Sequence, residues 1–220
     1  MFTNALLSGL ALAYTVSASP VLPRSGCPSY LIINTRGTFE QQGPSIATTS
    51  MNQQIQAAVS GGSIYYTVYP AGADQQSGAA TTDIVNQINN GLASNPNQCF
   101  VLEGYSQGAA ATVNAMPMLT GAAFNAVKAV ILLGDPFHKA GLSSNVDENG
   151  GTTTSNDNGI SAYQNVQIPS NWVSKTRDVC YKGDGICDTQ DGGINFQHLM
   201  YGSSTTVQQQ SANYVIQRLQ

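Results

Sequence analysis

The chain has 220 residues, 9% of them charged, with 8 basic against 12 acidic side chains and a net charge of −4. The charged fraction falls well below the ~25% of a typical soluble domain. The few Lys and Arg form no cluster, which argues against nucleic acid or an anionic membrane as partner. The length suits one domain with a sizeable core, kept soluble largely by neutral Ser, Thr, Asn, Gln and Gly.

Residues 5–13, from Ala5 to Ala13, form an apolar run too short to span a bilayer, and Val16-Ser17-Ala18 fits a small-residue cleavage site. Residues 1–18 are therefore expected to be a secretory signal peptide and 19–220 a single mature domain, secreted and extracellular. No Lys or Arg precedes the run, so the terminal amine alone supplies its positive end. No later stretch is long and apolar enough for an integral membrane segment, and a monomer is expected. Four cysteines in a secreted chain suggest two disulfides, with three possible pairings.

After a short arm at residues 21–25, Leu31–Asn34 reads as a buried strand, followed by a loop that holds Thr38. Pro44-Ser45 is expected to open a helix with Met51, Ile55, Ala58 and Val59 on one face. Gly61-Gly62 stops it, and Ile64–Tyr69 reads as the next strand. A helix beginning near Thr81, with Asp83 in its first turn, presents Ile84, Val85, Ile88 and Leu92. Phe100-Val101-Leu102, a helix to about Met118, and the strand Val127–Leu133 follow. Residues 135–169 are polar and read as a long surface excursion. Trp172–Tyr181 contains a last strand, and Ser203–Gln220 a closing helix with Val207, Tyr214, Val215 and Leu219 inward. Strands alternating with helices imply an α/β fold, a central parallel sheet covered on both faces, with ligands at the C-terminal strand ends. Strand starts lie side by side in such a sheet, so Cys27–Cys99 is geometrically easy, leaving Cys180 and Cys187 to close a short loop.

The chemistry centres on Gly104-Tyr105-Ser106-Gln107-Gly108. Between a strand and a helix this is a G-x-S-x-G nucleophile elbow: the glycines leave room for a very tight turn that thrusts out the Ser106 hydroxyl. The Gln107 backbone N–H then points at the same spot as an oxyanion donor, and Thr38 offers a second. A serine needs a base, and the base needs a carboxylate. In this fold the chain order is Ser, acid, His, which favours His198 and leaves His138 as a surface residue. Asp184, in a glycine-flanked turn between Cys180 and Cys187, is the favoured acid. Asp135, Asp178, Asp188 and Asp191 remain alternatives. Phe39, Ile194 and Phe196 are candidate acyl contacts. Such a base works as neutral imidazole, reference pKa about 6.5, so activity is expected to fall in acid. No C-x-x-C pair exists and the two His are far apart, so no metal and no cofactor are expected.

The elbow Gly104 to Ala110, the Asp184 turn between two cysteines and a His shortly after it resemble the fungal cutinases. Ile33 to Thr38, Ser60-Gly61-Gly62 and the stretch from Asn145 to Thr154 resemble more closely the cutinase-like esterases of basidiomycete yeasts. The resemblance implies a small lidless α/β-hydrolase acting on cutin, short-chain acyl esters and aliphatic polyesters. It also implies Ser106, Asp184 and His198 as triad, Thr38 and Gln107 as oxyanion hole, and the pairings Cys27–Cys99 and Cys180–Cys187. Many plant-pathogen cutinases carry Ser at the position of Thr38, whose hydroxyl can still donate. Acetylxylan esterase is the alternative within the class. Outside it stands an extracellular carbohydrate- or calcium-binding module, since Asp184, Asp188 and Asp191 form a loose acidic run without the spacing of a calcium loop.

Overall fold

The computed structural model describes residue 1, residues 26–189 and residues 192–220. The signal segment beyond its first residue, the 21–25 arm and Asp191 lie outside the described residues.

Among the described residues, six strands form one parallel sheet: β1 (Tyr30–Thr35), β2 (Gly62–Tyr66), β3 (Cys99–Tyr105), β4 (Val127–Leu133), β5 (Asn145–Val146) and β6 (Thr176–Val179). Their order is β2-β1-β3-β4-β6-β5. The chain steps outward from β1 to β2, then returns to lay β3 on the other side of β1. The connections leaving β1 and β3 therefore diverge, and a crevice opens at that switch point.

Alternation along the strands sorts the core into two layers. Ile33, Phe100, Leu102, Val130 and Leu132 face Ile84 and Ile88 of α2 (Gly78–Ser94) and the small side chains of α3 (Gln107–Ala115). Ile32, Val101, Ala129, Ile131 and Leu133 face Met51 and Ile55 of α1 (Thr49–Ala58) and Val215 and Leu219 of α5 (Thr205–Leu219). Strands buried on both faces must be apolar throughout, as Val127–Leu133 nearly is, and each fully buried Ile or Leu contributes roughly 2 kcal/mol. A short helix α4 (Gly121–Ala126) leads into β4.

Several expected boundaries shift for local reasons. α1 begins at Thr49 rather than Pro44-Ser45, because the Ser45 and Ile46 N–H groups are held by the side chains of Asn34 and Glu40. β2 ends at Tyr66, opposite Asn34, because β1, its one strand neighbour among the described residues, stops at Thr35. Asp83 lies one turn into α2, not in its first turn, and caps the end of β2 by accepting from Val68 N–H and Tyr65 Oη. The 135–169 stretch is only partly superficial. It carries β5, which pairs with β6, and buries Asp135, His138, Asp147 and Thr154. The two disulfides are Cys27–Cys99 and Cys180–Cys187.

Candidate active site

The turn from β3 into α3 holds Ser106 at φ 54°, ψ −118°, a conformation that L side chains rarely adopt. Its neighbours make that possible. A Cβ on Gly104 would lie 2.6 Å from Ala109 Cα, and one on Gly108 would lie 2.1 Å from the Thr35 carbonyl oxygen. Side chains at either place would push strand and helix apart. The strained turn is anchored by Ser106 N–H donating to the Leu133 carbonyl at 2.9 Å.

His198 arrives from a 3-10 turn (Gln197–Leu199) before α5, and its Nε2 stands 2.9 Å from Ser106 Oγ. Its Nδ1 lies 2.9 Å and 3.0 Å from the two Asp184 carboxylate oxygens. The ring is 1% exposed, stacks on Tyr105 and lies against Gly134, where a Cβ would come within 2.7 Å of its Cε1. Asn195 Oδ1 accepts from the His198 backbone N–H.

Asp184 is fully buried in the turn closed by Cys180–Cys187. Its Oδ1 accepts from Ile186 N–H at 2.8 Å and its Oδ2 from Tyr201 Oη at 2.6 Å. Burial, and then the charge of Asp184, push the Tyr201 hydroxyl far above the ordinary phenol range, so it stays protonated and donates. The carboxylate thus keeps three donors at once, an arrangement that fixes the orientation of the imidazole.

The other acids serve elsewhere. Asp188 accepts from Gly183 N–H and pairs with Lys182. Asp178 pairs with His138, and Asp135 accepts from Phe137 N–H. His138 is not a surface residue: it is wholly buried, because polar groups of the excursion fold back against β6 and enclose it. Thr38 Oγ1 lies 3.5 Å from Gln107 Oε1 and 3.1 Å from Gln75 Nε2, at the mouth of the elbow.

Ser106 is not thrust out into solvent. It is 6% exposed, at the floor of a cleft of about 540 Å³ whose walls rise from the loops around it. Phe137, Ile160, Tyr163, Ile186 and Ile194 supply its apolar wall, with Gln75 and Asn114 among its polar groups. Of the three expected acyl contacts, Ile194 lines the cleft, whereas Phe39 and Phe196 stand 73% and 71% exposed outside its lining.

The sequence profile of the Cutinase family matches residues 26–219. The chain belongs to the cutinase family. It is 32% identical over 212 residues to a cutinase of Monilinia fructicola, covering 91% of this chain and 90% of that protein. The solved structure of a cutinase-like protein from Cryptococcus sp. is similar at 57% identity and TM-score 0.86, covering 89% of this chain and 97% of that one. The catalytic core domain of an acetyl xylan esterase from Trichoderma reesei is similar at 29% identity and TM-score 0.68, covering 88% and 100%. The chain is a carboxylic ester hydrolase of α/β-hydrolase type.

Some of this family member's site residues carry no local signal. Tyr201 donates to Asp184 and Asn195 accepts from the His198 backbone, yet neither sits in a motif, and Tyr105 occupies a variable position of the elbow that gives no sign of its contacts with His198. Gln75 reaches Thr38 from a different loop. The cleft-lining residues Phe137, Ile160 and Tyr163 come from the stretch that composition marks as polar surface.

Proposed function

We propose that the chain is a secreted serine esterase of the cutinase type, acting on cutin, short-chain acyl esters and aliphatic polyesters. The single observation that carries it is the unbroken hydrogen-bonded series from Ser106 Oγ through His198 to Asp184. Ser106 Oγ attacks the ester carbonyl carbon while its proton passes to His198 Nε2. The carbonyl oxygen becomes the oxyanion, met by the Gln107 backbone N–H and by Thr38. Collapse breaks the bond to the alcohol, which leaves with the proton from His198. Water, deprotonated by the same imidazole, then cleaves the acyl-enzyme and restores Ser106.

Asp184 and its donors hold the ring in register throughout and stabilise the imidazolium. Tyr105, stacked on the ring, also donates its hydroxyl to the His198 carbonyl, so the backbone carrying the base is fixed as well. The apolar cleft wall suits an acyl chain, and its open mouth suits a polymeric ester. Secretion, with residues 1–18 as leader, is supported by the two disulfides, which belong to oxidising compartments.

Ser106→Ala is the direct test. Hydrolysis of p-nitrophenyl butyrate should fall by about three orders of magnitude or more, with labelling by a fluorophosphonate abolished. Unchanged hydrolysis would end the reading. Acetylxylan esterase activity is the second reading, supported by the likeness to the Trichoderma reesei enzyme core. Rates on acetylated xylan and on a polyester film, compared side by side, decide between them.

A further inference from the structure

The second histidine is unused by this chemistry, yet it is fully buried. His138 Nδ1 lies 2.7 Å from Asp178 Oδ2 and Nε2 lies 3.1 Å from the Thr154 carbonyl oxygen. A carbonyl oxygen only accepts, so Nε2 carries a hydrogen. The other nitrogen faces a carboxylate, the ordinary partner of a second N–H. Both ring nitrogens donating means an imidazolium.

The segments this ring joins are the ones that wall the cleft. Asp178 lies on β6, and Thr154 bonds through Oγ1 to the Cys180 carbonyl at the start of the disulfide turn. The His138 carbonyl accepts from Gly159 N–H, and the Pro136 carbonyl accepts from Ser161 N–H. Between them, Ile160 N–H donates to the Ile186 carbonyl, and Ile186 in turn holds Asp184. Phe137, Ile160 and Ile186 all line the cleft above Ser106.

We propose that His138 is a positioning residue of the esterase: as a buried imidazolium between Asp178 and the Thr154 carbonyl, it clamps residues 135–161 to β6 and so fixes the Phe137–Ile160–Ile186 wall. The inference rests on the serine-esterase reading for its kinetic consequence, though not for the charge state of the ring. The charged groups facing the ring are Asp178 from β6 and Asp135 from the end of β4. Burial alone would lower the imidazole, but the Asp178 charge and hydrogen bond, the Thr154 carbonyl and Asp135 together raise it to about 9. Asp135 itself is pushed up by burial and then by the Asp178 charge, with the Phe137 N–H and His138 opposing.

The test begins with nitrogen NMR of the two imidazoles in the whole protein at pH 7.5, with His138→Gln to assign the signals. Both His138 ring nitrogens should be protonated; an unprotonated Nδ1 overturns the proposal. Kinetics of His138→Gln, counted per site titrated with a fluorophosphonate, should show KM for a hexanoate ester raised about ten-fold. The kcat should fall less than about three-fold, and KM for an acetate ester should change less than about two-fold. A lowered melting temperature with unchanged KM values means a merely structural role and overturns the proposal. If His138→Gln does not fold, two measurements replace it. Wild-type KM for the hexanoate should rise above pH 9, while Asp178→Asn, in which a neutral ring can accept from the amide, should be flat. A flat wild-type profile overturns the clamp. A wild type that neither hydrolyses esters nor is labelled at Ser106 would sink the serine-esterase reading instead, and the NMR result stands apart from it.

Discussion

The molecule contains two buried imidazole–carboxylate pairs, His198–Asp184 and His138–Asp178, with nearly equal N···O distances of 2.9 Å and 2.7 Å. They differ in what faces the far nitrogen. His198 Nε2 meets the Ser106 hydroxyl, which can either donate or accept, so the ring is free to take a proton and return it. His138 Nε2 meets a carbonyl, which only accepts, so the ring has no proton to exchange with a reactant. On the proposed reading, one neighbouring atom separates a proton carrier from a fixed cation. Proximity of His to Asp is therefore no mark of catalysis by itself; the third partner decides.

The most severe way to break this contrast is Asp184→Asn. The amide can present a donor to Nδ1, which favours the wrong tautomer, and kcat on p-nitrophenyl butyrate should drop by about four orders of magnitude. Loss of only a few-fold in initial rate would show that His198 does not depend on Asp184.

A smaller effect sharpens the contrast. Tyr201→Phe removes the 2.6 Å hydrogen bond to Asp184 Oδ2 while keeping the ring that packs against His198 and Tyr181. The kcat should fall about ten-fold, since one hydrogen bond to a charged group is worth roughly 1.5–3 kcal/mol. Steady-state kinetics with matched circular dichroism would show it.

The remaining difference is read in stability against pH. The folded value of His138 is raised from 6.5 to about 9, so its pair stabilises fully below pH 6.5 and is lost as pH climbs through about 9. The amount is roughly 3 kcal/mol, seen as a falling urea midpoint between pH 7 and 10 that His138→Gln removes. A second slope lies lower. Glu103 on β3 is fully buried and raised by that burial from 4.5 to about 7, against the opposing hydrogen bonds of Asn52 and Asn34. The fold therefore also loses stability as pH rises from 4.5 through 7, and Glu103→Gln should flatten that part alone.

Much of the site was legible because it is local. The elbow glycines and the serine between them are written within one short stretch, and Asp184 and His198, which the structure brings to Ser106, follow it in the expected chain order. Strand β4 was readable to the residue because a strand buried on both faces must be apolar throughout. The Asp184 turn stood out because two cysteines and flanking glycines bracket one carboxylate.

What the sequence determined by itself was the parallel α/β architecture and the place of the tight turn that carries Ser106. Only the tertiary structure decided which histidine has a hydroxyl and which a carbonyl beyond its ring, and that Tyr201 donates to Asp184. It also turned a stretch read as polar surface into the wall of the cleft. The reason is physical: composition sums a segment's polarity, whereas burial depends on whether each polar group finds a partner. His138 and Thr154 sit inside because partners distant in sequence, Asp178 and the Cys180 carbonyl, accompany them there.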